Sequence, residues 1–405
     1  MKLSRFGLIA SIAVGILAAP VAEAQPPIRI GASLSQTGAF ATLGQNTLRG
    51  YQLCVKHMND KGGVLGRQLA LVVYDDGSDP ATAVRLYEKL ITQGKVDLVF
   101  GPYSSLITDP VADVTEKYKM PMVAANASAT SIYRKGRKFI FGMFSPAEVD
   151  LEGLLDLAAK KGLKTVALIN GDNVYGRAAT QGAIELAKKK GLQVVFADAY
   201  PQGNTDFSAI LAKVRAANPD VLAVATTVFE DGVAIARQLK ALDMNPRMVG
   251  FSPSVSLPKL YEVLGRDAEF VYVAAIWLPE LVEIRAGGLI PIARQYPGAR
   301  EFVESSRKEF PGAAVGGSSA YGACQILVEA IRRVGSLDRG KLRDAISKMD
   351  HNTVFGRFRV DGDGIQRGHK MLLIQWQDGK RAIVWPEELA PNSPRFPTPP
   401  WSQRP

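Results

Sequence analysis

Residues that build metal centres and disulfide frameworks are scarce in this sequence. Its 405 residues include two cysteines and three histidines. The histidines, His57, His351 and His369, lie far apart and show no metal-ligand spacing, so we expect no metal site. The cysteines, Cys54 and Cys324, each fall on the apolar face of a predicted helix. A disulfide in an oxidising compartment and two separate buried thiols both fit that placement.

Motifs of common enzyme chemistries are also missing. The first strand-to-helix turn reads GASLSQTG, not the G-x-G-x-x-G of dinucleotide-binding enzymes. Neither a G-x-S-x-G nucleophile elbow nor a P-loop sequence is present. Asp75 and Asp76 are adjacent, but neighbouring strand residues face opposite ways, so we interpret them as a strand end and a turn former. We therefore expect no catalytic residues and no cofactor.

Apolar runs of membrane-spanning length are absent beyond the start of the chain. The first residues combine a basic start, at Lys2 and Arg5, with a short apolar run and the A-x-A pattern Ala22-Glu23-Ala24. This order is typical of a cleavable signal peptide, so we expect residues 1–24 to be removed and the mature chain to start at Gln25. An uncleaved membrane anchor is the alternative.

The chain is mildly basic, with a formal net charge of +10. The basic residues are scattered, and the short clusters Arg134–Lys138 and Lys188–Lys190 have no interleaved aromatics for stacking on bases. We interpret these clusters as solvated faces and expect no nucleic-acid partner. A mild positive potential can still help to attract anionic solutes.

From Ile28 onward, the sequence repeats an apolar strand, a loop and an amphipathic helix. Such alternation predicts an α/β protein with parallel sheets covered on both faces. The strand candidates are Ile28–Ser33, Leu69–Tyr74, Val96–Phe100, Pro121–Ala125, Thr165–Asn170, Gln193–Ala199, Val221–Thr226, Met248–Phe251 and Phe270–Ile276. Because nine strands exceed one small sheet, we expect two lobes, with a boundary near Phe144–Asp150.

The pattern changes after Ile276. Two helices are predicted, at Tyr321–Val334 and Leu342–Met349. Phe355–Val360 and Met371–Gln377 then alternate as strands, and the turn-rich DGDGIQRG between them predicts an antiparallel pair. The tail, residues 391–405, is rich in proline and is expected to be disordered.

Two predicted strands end in loops rich in hydroxyls. Ser104 and Ser105 follow the strand Val96–Phe100, and the loop Asn126–Thr130 follows the next strand. In an open parallel sheet these loops lie at the carboxyl edge, where ligands bind. Hydroxyls and helix-start amides suit an anion such as a carboxylate. A plain helix cap at Ser104 or Ser105 explains the same residues equally well.

Several motifs in order resemble a known family. They are IRIGASLSQTGAFATLGQ, LVVYDDGSDP, GPYSS, NASAT and GDNVYGR. The mature chain to about Ala390 resembles the periplasmic solute-binding proteins of branched-chain amino acid type ABC importers. The resemblance implies a type I periplasmic-binding fold, in which two α/β lobes are joined by three hinge crossovers. Lobe 1 would comprise 25–144 and 277–350, and lobe 2 would comprise 145–276 and 351–390.

The same resemblance implies a function and a set of ligand contacts. The protein would be an exported, monomeric receptor in the periplasm that hands a solute to a membrane permease. Family contact positions with matching chemistry fall on Ser105 with Ser104 beside it, on Ser128 and Thr130, on Tyr175, and on the aromatic positions Phe229 and Trp277. A plain loop role for Tyr175 and a core role for Trp277 remain open.

Two positions depart from the amino-acid binders of the family. Leu43 replaces a tyrosine, and Ser252 falls where an acidic residue would meet the ligand ammonium. Because an unpaired buried charge is costly, we expect a small organic acid with an apolar or aromatic body and not a free amino acid. An amino-acid ligand is the alternative, since Glu230 or Asp231 could restore the ammonium partner. A sensor or an enzyme on the same fold is a more distant alternative.

Overall fold

The computed structural model describes residues 25–283 and 292–404, and the predicted signal peptide lies outside them. Strands and helices alternate along the chain, as predicted. The strands are β1 Ile28–Leu34, β2 Leu69–Asp75, β3 Leu98–Val99, β4 Met122–Ala124, β5 Ile140–Gly142, β6 Thr165–Gly171, β7 Gln193–Tyr200, β8 Val221–Ala225, β9 Met248–Phe251, β10 Tyr272–Ala275, β11 Asp350–Thr353, β12 Gly356–Arg359, β13 Leu372–Gln377 and β14 Lys380–Trp385. The α-helices are α1 Ala41–Asp60, α2 Pro80–Thr92, α3 Ser105–Lys117, α4 Glu152–Lys160, α5 Val174–Lys189, α6 Ser208–Ala217, α7 Phe229–Ala241, α8 Lys259–Leu264, α9 Ile292–Gln295, α10 Ala299–Glu309, α11 Ser318–Val334 and α12 Arg339–Ser347.

Several helices begin at side-chain caps that the local sequence supplies. The Asp79 carboxylate accepts the Thr82 N–H at the start of α2, where Pro80 occupies the first turn. The Asn173 side chain caps α5 in the same way, by accepting the Gly176 N–H. These caps set where the chain turns from strand end into helix, which is the edge that carries the candidate site.

Lobe 1 is built on short parallel strands. Strand β1 lies between β2 and β3, and β4 pairs with β5 in a separate parallel ladder. Helices α1 and α11 pack against each other on this lobe. Cys54 of α1 and Cys324 of α11 form a disulfide with a Cα–Cα distance of 6.4 Å, so the paired alternative holds.

Lobe 2 is built on one seven-stranded sheet in the order β14-β13-β10-β9-β8-β6-β7. The five strands from β10 to β7 run parallel to one another, whereas β13 pairs antiparallel with both β10 and β14. All five residues of the inner strand β8 are buried, as expected where helices cover both faces of a sheet.

The predicted antiparallel pairing of Phe355–Val360 with Met371–Gln377 is wrong. Strand β12 pairs with β11, whereas β13 pairs with β10 and β14. The turn-rich segment after β12 folds back on the end of that strand, where Val360 bridges Gln366 in an antiparallel sense, and it does not pair β12 with β13. The same segment is also held on lobe 1. Gly364 accepts the Gly142 N–H, and the Gln366 side chain donates to the Met143 carbonyl. The chain therefore crosses to lobe 2 after these residues, later than the predicted boundary at residue 350.

The expectation of a disordered tail also needs correction. The Trp401 indole donates to the Met244 carbonyl at 2.9 Å, and Arg404 donates to the Asn245 side chain at 2.7 Å. Further back, the Arg395 carbonyl accepts from Tyr272 of β10. Apolar and hydrogen-bonding side chains thus dock this proline-rich segment on lobe 2, which its composition alone does not reveal.

Three chain segments cross between the lobes. His369 lies on one of them and contacts the other two. It lies on the crossover between β12 and β13. Its Nδ1 is 2.8 Å from the hydroxyl of Ser145 on the first crossover, and its Nε2 is 2.8 Å from the carbonyl of Ile276 on the second. Its ring stacks on Phe355 with centroids 4.3 Å apart. Burial lowers the pKa of His369 to about 4, so the imidazole is neutral at physiological pH.

Candidate functional site

Two adjacent cavities lie in the cleft between the lobes. The first, which we call the serine chamber, has a volume of about 50 Å³ and is lined by Ser104, Ser105 and Ser128 among others. The second, the tryptophan chamber, has a volume of about 110 Å³ and is lined by Leu43, Trp277 and the start of α11. Both chambers share five lining residues, namely Tyr103, Asn126, Phe144, Pro253 and Ser254. They therefore form one continuous candidate site.

Ser104 and Ser105 occupy different roles at the start of α3. The Ser104 hydroxyl accepts the Ile107 N–H at 3.4 Å, which is the helix cap that the sequence left open. The Ser105 hydroxyl accepts the N–H groups of Ser128 and Ala129 at 3.1 and 3.3 Å. Because its oxygen takes both amides, the Ser105 hydroxyl hydrogen points to an acceptor elsewhere, such as a ligand oxygen.

The second hydroxyl loop reaches the cleft only in part. Ser128 lines the serine chamber, and its backbone N–H is bonded to Ser105. Thr130, predicted together with Ser105 to hold the ligand carboxylate, lines neither chamber. The Thr130 hydroxyl donates instead to Glu148 on the first crossover. The structure thus brings Ser104, Ser105 and Ser128 together and leaves Thr130 outside.

Asp150 is a site residue that the sequence reasoning missed. It lines the serine chamber with Tyr175, whose hydroxyl donates to Asp150 Oδ2 at 2.7 Å. Burial raises the pKa of Asp150 to about 8, and the nearby charge of Glu148 adds to this effect. At neutral pH the carboxyl is therefore protonated. The sequence contained a signal, since FSPAEVD was identified as the lobe boundary, where clefts form.

Four predicted ligand contacts remain, namely Leu43, Phe229, Ser252 and Trp277, and two of them line a cavity. Leu43 and Trp277 line the tryptophan chamber. Phe229 lines neither chamber and lies beneath the ammonium of Lys259, 5.1 Å from its ring centroid. Ser252 is fully buried, and its hydroxyl both donates to the carbonyl and accepts the N–H of Thr226. Ser252 therefore ties the ends of β8 and β9 together.

The two acids that could have replaced Ser252 also lie outside the chambers. Asp231 is buried beside the hydroxyl of Thr226, and burial raises the pKa of Asp231 to about 6. Glu230 accepts from the hydroxyl of Thr42 across the cleft at 3.2 Å. Neither side chain is placed to meet a ligand ammonium in this arrangement.

Contacts across the cleft show that the lobes are closed on each other. The Tyr103 hydroxyl of lobe 1 donates to the Thr227 carbonyl of lobe 2 at 3.2 Å. Asn126 links lobe 1 internally, since it donates to Thr47 and accepts from Ser319. Both Tyr103 and Asn126 line both chambers, although the sequence identified neither as a site residue.

In residues 25–283 and 292–404, no three histidine, cysteine or acidic side chains cluster as metal ligands would. In the same residues, no helix combines the length and hydrophobicity that a bilayer crossing requires.

Sequence comparison relates this chain to binding proteins over nearly its whole length. It is 26% identical to Leu/Ile/Val-binding protein homolog 7 of Brucella melitensis, and the match covers 96% of this chain and 98% of that protein. It is 25% identical to Leu/Ile/Val-binding protein homolog 8 of Brucella suis, covering 98% and 100%.

Comparison with solved structures agrees in fold. A leucine-binding protein from Thermotoga maritima superposes with a TM-score of 0.78 at 23% identity, covering 88% of this chain and 97% of that one. A solute-binding protein from R. palustris in complex with benzoate gives 0.76 at 19% identity, covering 88% and 95%. A branched-chain amino acid binding protein from Streptococcus pneumoniae in complex with isoleucine gives 0.77 at 21%, covering 89% and 100%.

A family model described as "Periplasmic binding protein" matches residues 27–381, which is most of the chain. That match confirms the resemblance seen in the motifs and agrees with the two-lobed α/β architecture. The chain belongs to the periplasmic binding protein family.

Proposed function

We propose that this protein is an exported receptor of an ABC importer that captures a small carboxylate with an apolar or aromatic body. The observation that carries the proposal is the serine chamber. Ser105 and Ser128 meet there at the ends of two strands, beside an Asp150 whose burial keeps it uncharged. Hydroxyl donors next to a neutral acid suit an anion and offer an ammonium no ionised partner.

The walls of the site support an apolar or aromatic body. Phe144 borders both chambers, and Leu43 and Trp277 border the larger one. Small-molecule sites combine such walls with a few placed polar groups. The structural neighbours show that the fold accepts more than one class of ligand, since one holds benzoate and another holds isoleucine.

An amino-acid ligand is the second candidate, and Asp150 is the observation that favours it. A buried carboxyl in the serine chamber pairs with an ammonium if it gives up its proton on binding. The relatives named as Leu/Ile/Val-binding protein homologs point the same way. The two candidates differ in their proton balance. At pH 7, zwitterion binding releases a proton from Asp150, whereas carboxylate binding releases none.

A thermal-shift screen followed by calorimetry tests the proposal. Benzoate, its alkyl derivatives and medium-chain aliphatic acids should raise the melting temperature, because a ligand that binds only the folded state stabilises it. Leucine, isoleucine and valine should not. For each hit, calorimetry in two buffers of different ionisation enthalpy reports protons exchanged. Strong stabilisation by a branched-chain amino acid, with proton release at pH 7 and no effect of the acids, establishes the second candidate instead.

Export and delivery need their own test. Protein recovered from the periplasm should begin at Gln25, as the A-x-A pattern predicts. Recovery in the membrane fraction with Met1 intact contradicts the proposal of a free periplasmic receptor. Sedimentation of the mature protein should give the mass of a monomer with and without ligand. Uptake of the identified solute should be lost on deletion of this protein and of its membrane permease.

A further inference from the structure

Trp277, which lines the tryptophan chamber, carries a buried indole N–H that has no partner among the described residues. Trp277 is 6% exposed, and its Nε1 makes no hydrogen bond there. The indole is a donor only. The ring meets Phe302 edge-on, with centroids 5.6 Å apart. Since an unsatisfied buried donor is costly, the chamber is incomplete without an acceptor.

A second unsatisfied polar group, the hydroxyl of Ser254, belongs to a residue that lines both chambers. Ser254 lines both of them, is 8% exposed, and its Oγ has no partner in the described part of the chain. It lies in the short 3₁₀ turn Pro253–Val255, directly after β9. A group that enters the tryptophan chamber from the serine chamber therefore passes Ser254.

The start of α11 adds backbone donors to the same chamber. Gly317 is the N-cap residue, and no side chain caps this 17-residue helix. Its glycine identity follows from close packing, because a Cβ there would lie 2.2 Å from the Asn46 carbonyl oxygen. Gly316, Gly317 and Ser318 line the chamber. The first-turn amides and the helix dipole thus face a space that favours acceptors.

The charged pair at the chamber's border sets which acceptor fits. Arg381 lines the chamber with its side chain 8% exposed. It donates twice to Glu280 Oε1, at 2.9 and 2.7 Å, and once to the Ser256 carbonyl at 2.9 Å. Glu280 balances the guanidinium, so this pair adds no net charge, and Glu280 Oε2 is itself buried without a partner in the described part of the chain. A neutral oxygen therefore suits the chamber better than a second carboxylate.

We infer that the tryptophan chamber recognises a neutral hydrogen-bond acceptor, a carbonyl, ether or hydroxyl oxygen, at the end of the ligand opposite its carboxylate. The ligand is then bifunctional, with the carboxylate in the serine chamber and the oxygen beside Trp277 and Ser254. This inference rests on the proposed function, since it takes the carboxylate end as given. It narrows the ligand class from apolar acids to oxygen-bearing acids of similar size.

Matched carboxylates test the inference directly. The first pair is 4-hydroxybenzoate and 4-methylbenzoate, and the second is 5-oxohexanoate and 5-methylhexanoate. In each pair the distal group changes from an oxygen to a methyl of similar size. Calorimetry on the full mature protein should show the oxygen-bearing member binding about tenfold more tightly in at least one pair, as expected for satisfying a buried donor.

Two tryptophan substitutions test whether the preference for the oxygen-bearing ligand arises at Trp277. Trp277→Phe keeps an aromatic ring but removes the N–H, and should reduce the preference to about twofold or less while leaving the methyl compounds bound. Trp376→Phe is the matched control. Its indole N–H is also buried and unpartnered among the described residues, but Trp376 lines neither chamber. This control should keep the wild-type preference. Ser254→Ala provides a second variant and should reduce the preference in part.

The outcomes separate the inference from the proposed function. Equal affinity within both pairs, or a preference that survives both Trp277→Phe and Ser254→Ala, overturns the inference and leaves the carboxylate receptor standing. Absence of binding by all four carboxylates overturns the proposed function and the inference together. If Trp277→Phe does not fold, the wild-type pairs and Ser254→Ala still decide.

Discussion

At the scale of single residues, Ser105 is the main candidate contact for the ligand carboxylate. Its oxygen already accepts two backbone amides, which leaves its hydroxyl hydrogen available to a further acceptor such as a ligand oxygen. Ser105→Ala should weaken carboxylate binding about tenfold or more, because hydrogen bonds to charged groups contribute about 1.5–3 kcal/mol. Calorimetry measures the affinity, and a thermal melt separately measures the loss from the two amides left unpaired.

A buried serine away from the cleft is the control for this substitution. Ser306 of α10 is buried in lobe 1 and lines neither chamber. Ser306→Ala should leave the affinity unchanged. Wild-type affinity in a folded Ser105→Ala protein removes Ser105 from the site.

Asp150 predicts a pH dependence of binding. Its pKa of about 8 means that it ionises above that pH, beside the ligand carboxylate. If only the protonated form binds, apparent affinity should fall about fivefold between pH 8 and pH 9. Asp150→Asn cannot ionise and should remove this decline in calorimetric titrations. Asp172→Asn, at an exposed residue outside both chambers, should keep it.

The Asp150 carboxyl also makes the free energy of unfolding depend on pH. The sign of this dependence is opposite to that of an acid in a surface ion pair. The folded pKa of Asp150 is above its ordinary value, so it favours the folded state most at acidic pH, and this contribution is lost as pH rises from about 4 to about 8. Asp150→Asn should therefore be more stable than wild type at pH 8, by chemical denaturation. A variant that is less stable at pH 8, and that retains the wild-type pH dependence of binding, contradicts this account of Asp150.

At the scale of elements, the strand–helix alternation of both lobes could be predicted, because apolar periodicity and caps are local signals. The pairing of β13 could not be read from the turn-rich segment before it. The signal that mattered was Asp378-Gly379, where both residues have positive φ and close the β13–β14 hairpin. Asp-Gly between two apolar runs is a strong hairpin signal, so the pairing of β13 with β14 is readable from the sequence.

The candidate site shows the same division between local and long-range information. Ser104, Ser105 and Ser128 could be predicted, since each follows a recognisable strand end. Asp150 and Asn126 could not be assigned a role, because their partners lie far away in sequence or across the cleft. Phe229 lines neither chamber, because its position in the first turn of α7 depends on how that helix packs.

The disulfide between α1 and α11 predicts a large effect on stability. It joins residues 270 apart in sequence, so it restricts the unfolded chain strongly. Cys54→Ser combined with Cys324→Ser should lower the free energy of unfolding by about 2–5 kcal/mol. Denaturant titrations measure this, with reductant as the control. Reductant should lower the wild type to the level of the double variant and leave the variant itself unchanged. Identical midpoints for both proteins without reductant contradict the prediction.

At the scale of the whole molecule, His369 links the three crossovers and predicts acid sensitivity. Its folded pKa of about 4 lies below its ordinary value of 6.5. The stability from the neutral ring is therefore fully present above pH 6.5 and lost as pH falls toward 4, on the order of 3 kcal/mol. His369→Gln should reduce the slope of stability against pH in this window, measured by denaturation at several pH values.

A second histidine serves as the comparison. His351 lies half-buried on β11, away from the crossovers, and His351→Gln should keep the wild-type slope. Equal slopes for all three proteins show that His369 is not the source of the acid sensitivity.

The two described ends of the chain are held on different lobes. Arg67 of lobe 1 donates to the carbonyls of Pro26 and Pro27, whereas Trp401 and Arg404 are anchored on lobe 2. Fluorescent proteins fused to these two ends would each move with a different lobe. Their energy transfer would then change whenever a solute alters the angle between the lobes, so these two attachment points provide the geometry of a genetically encoded optical sensor.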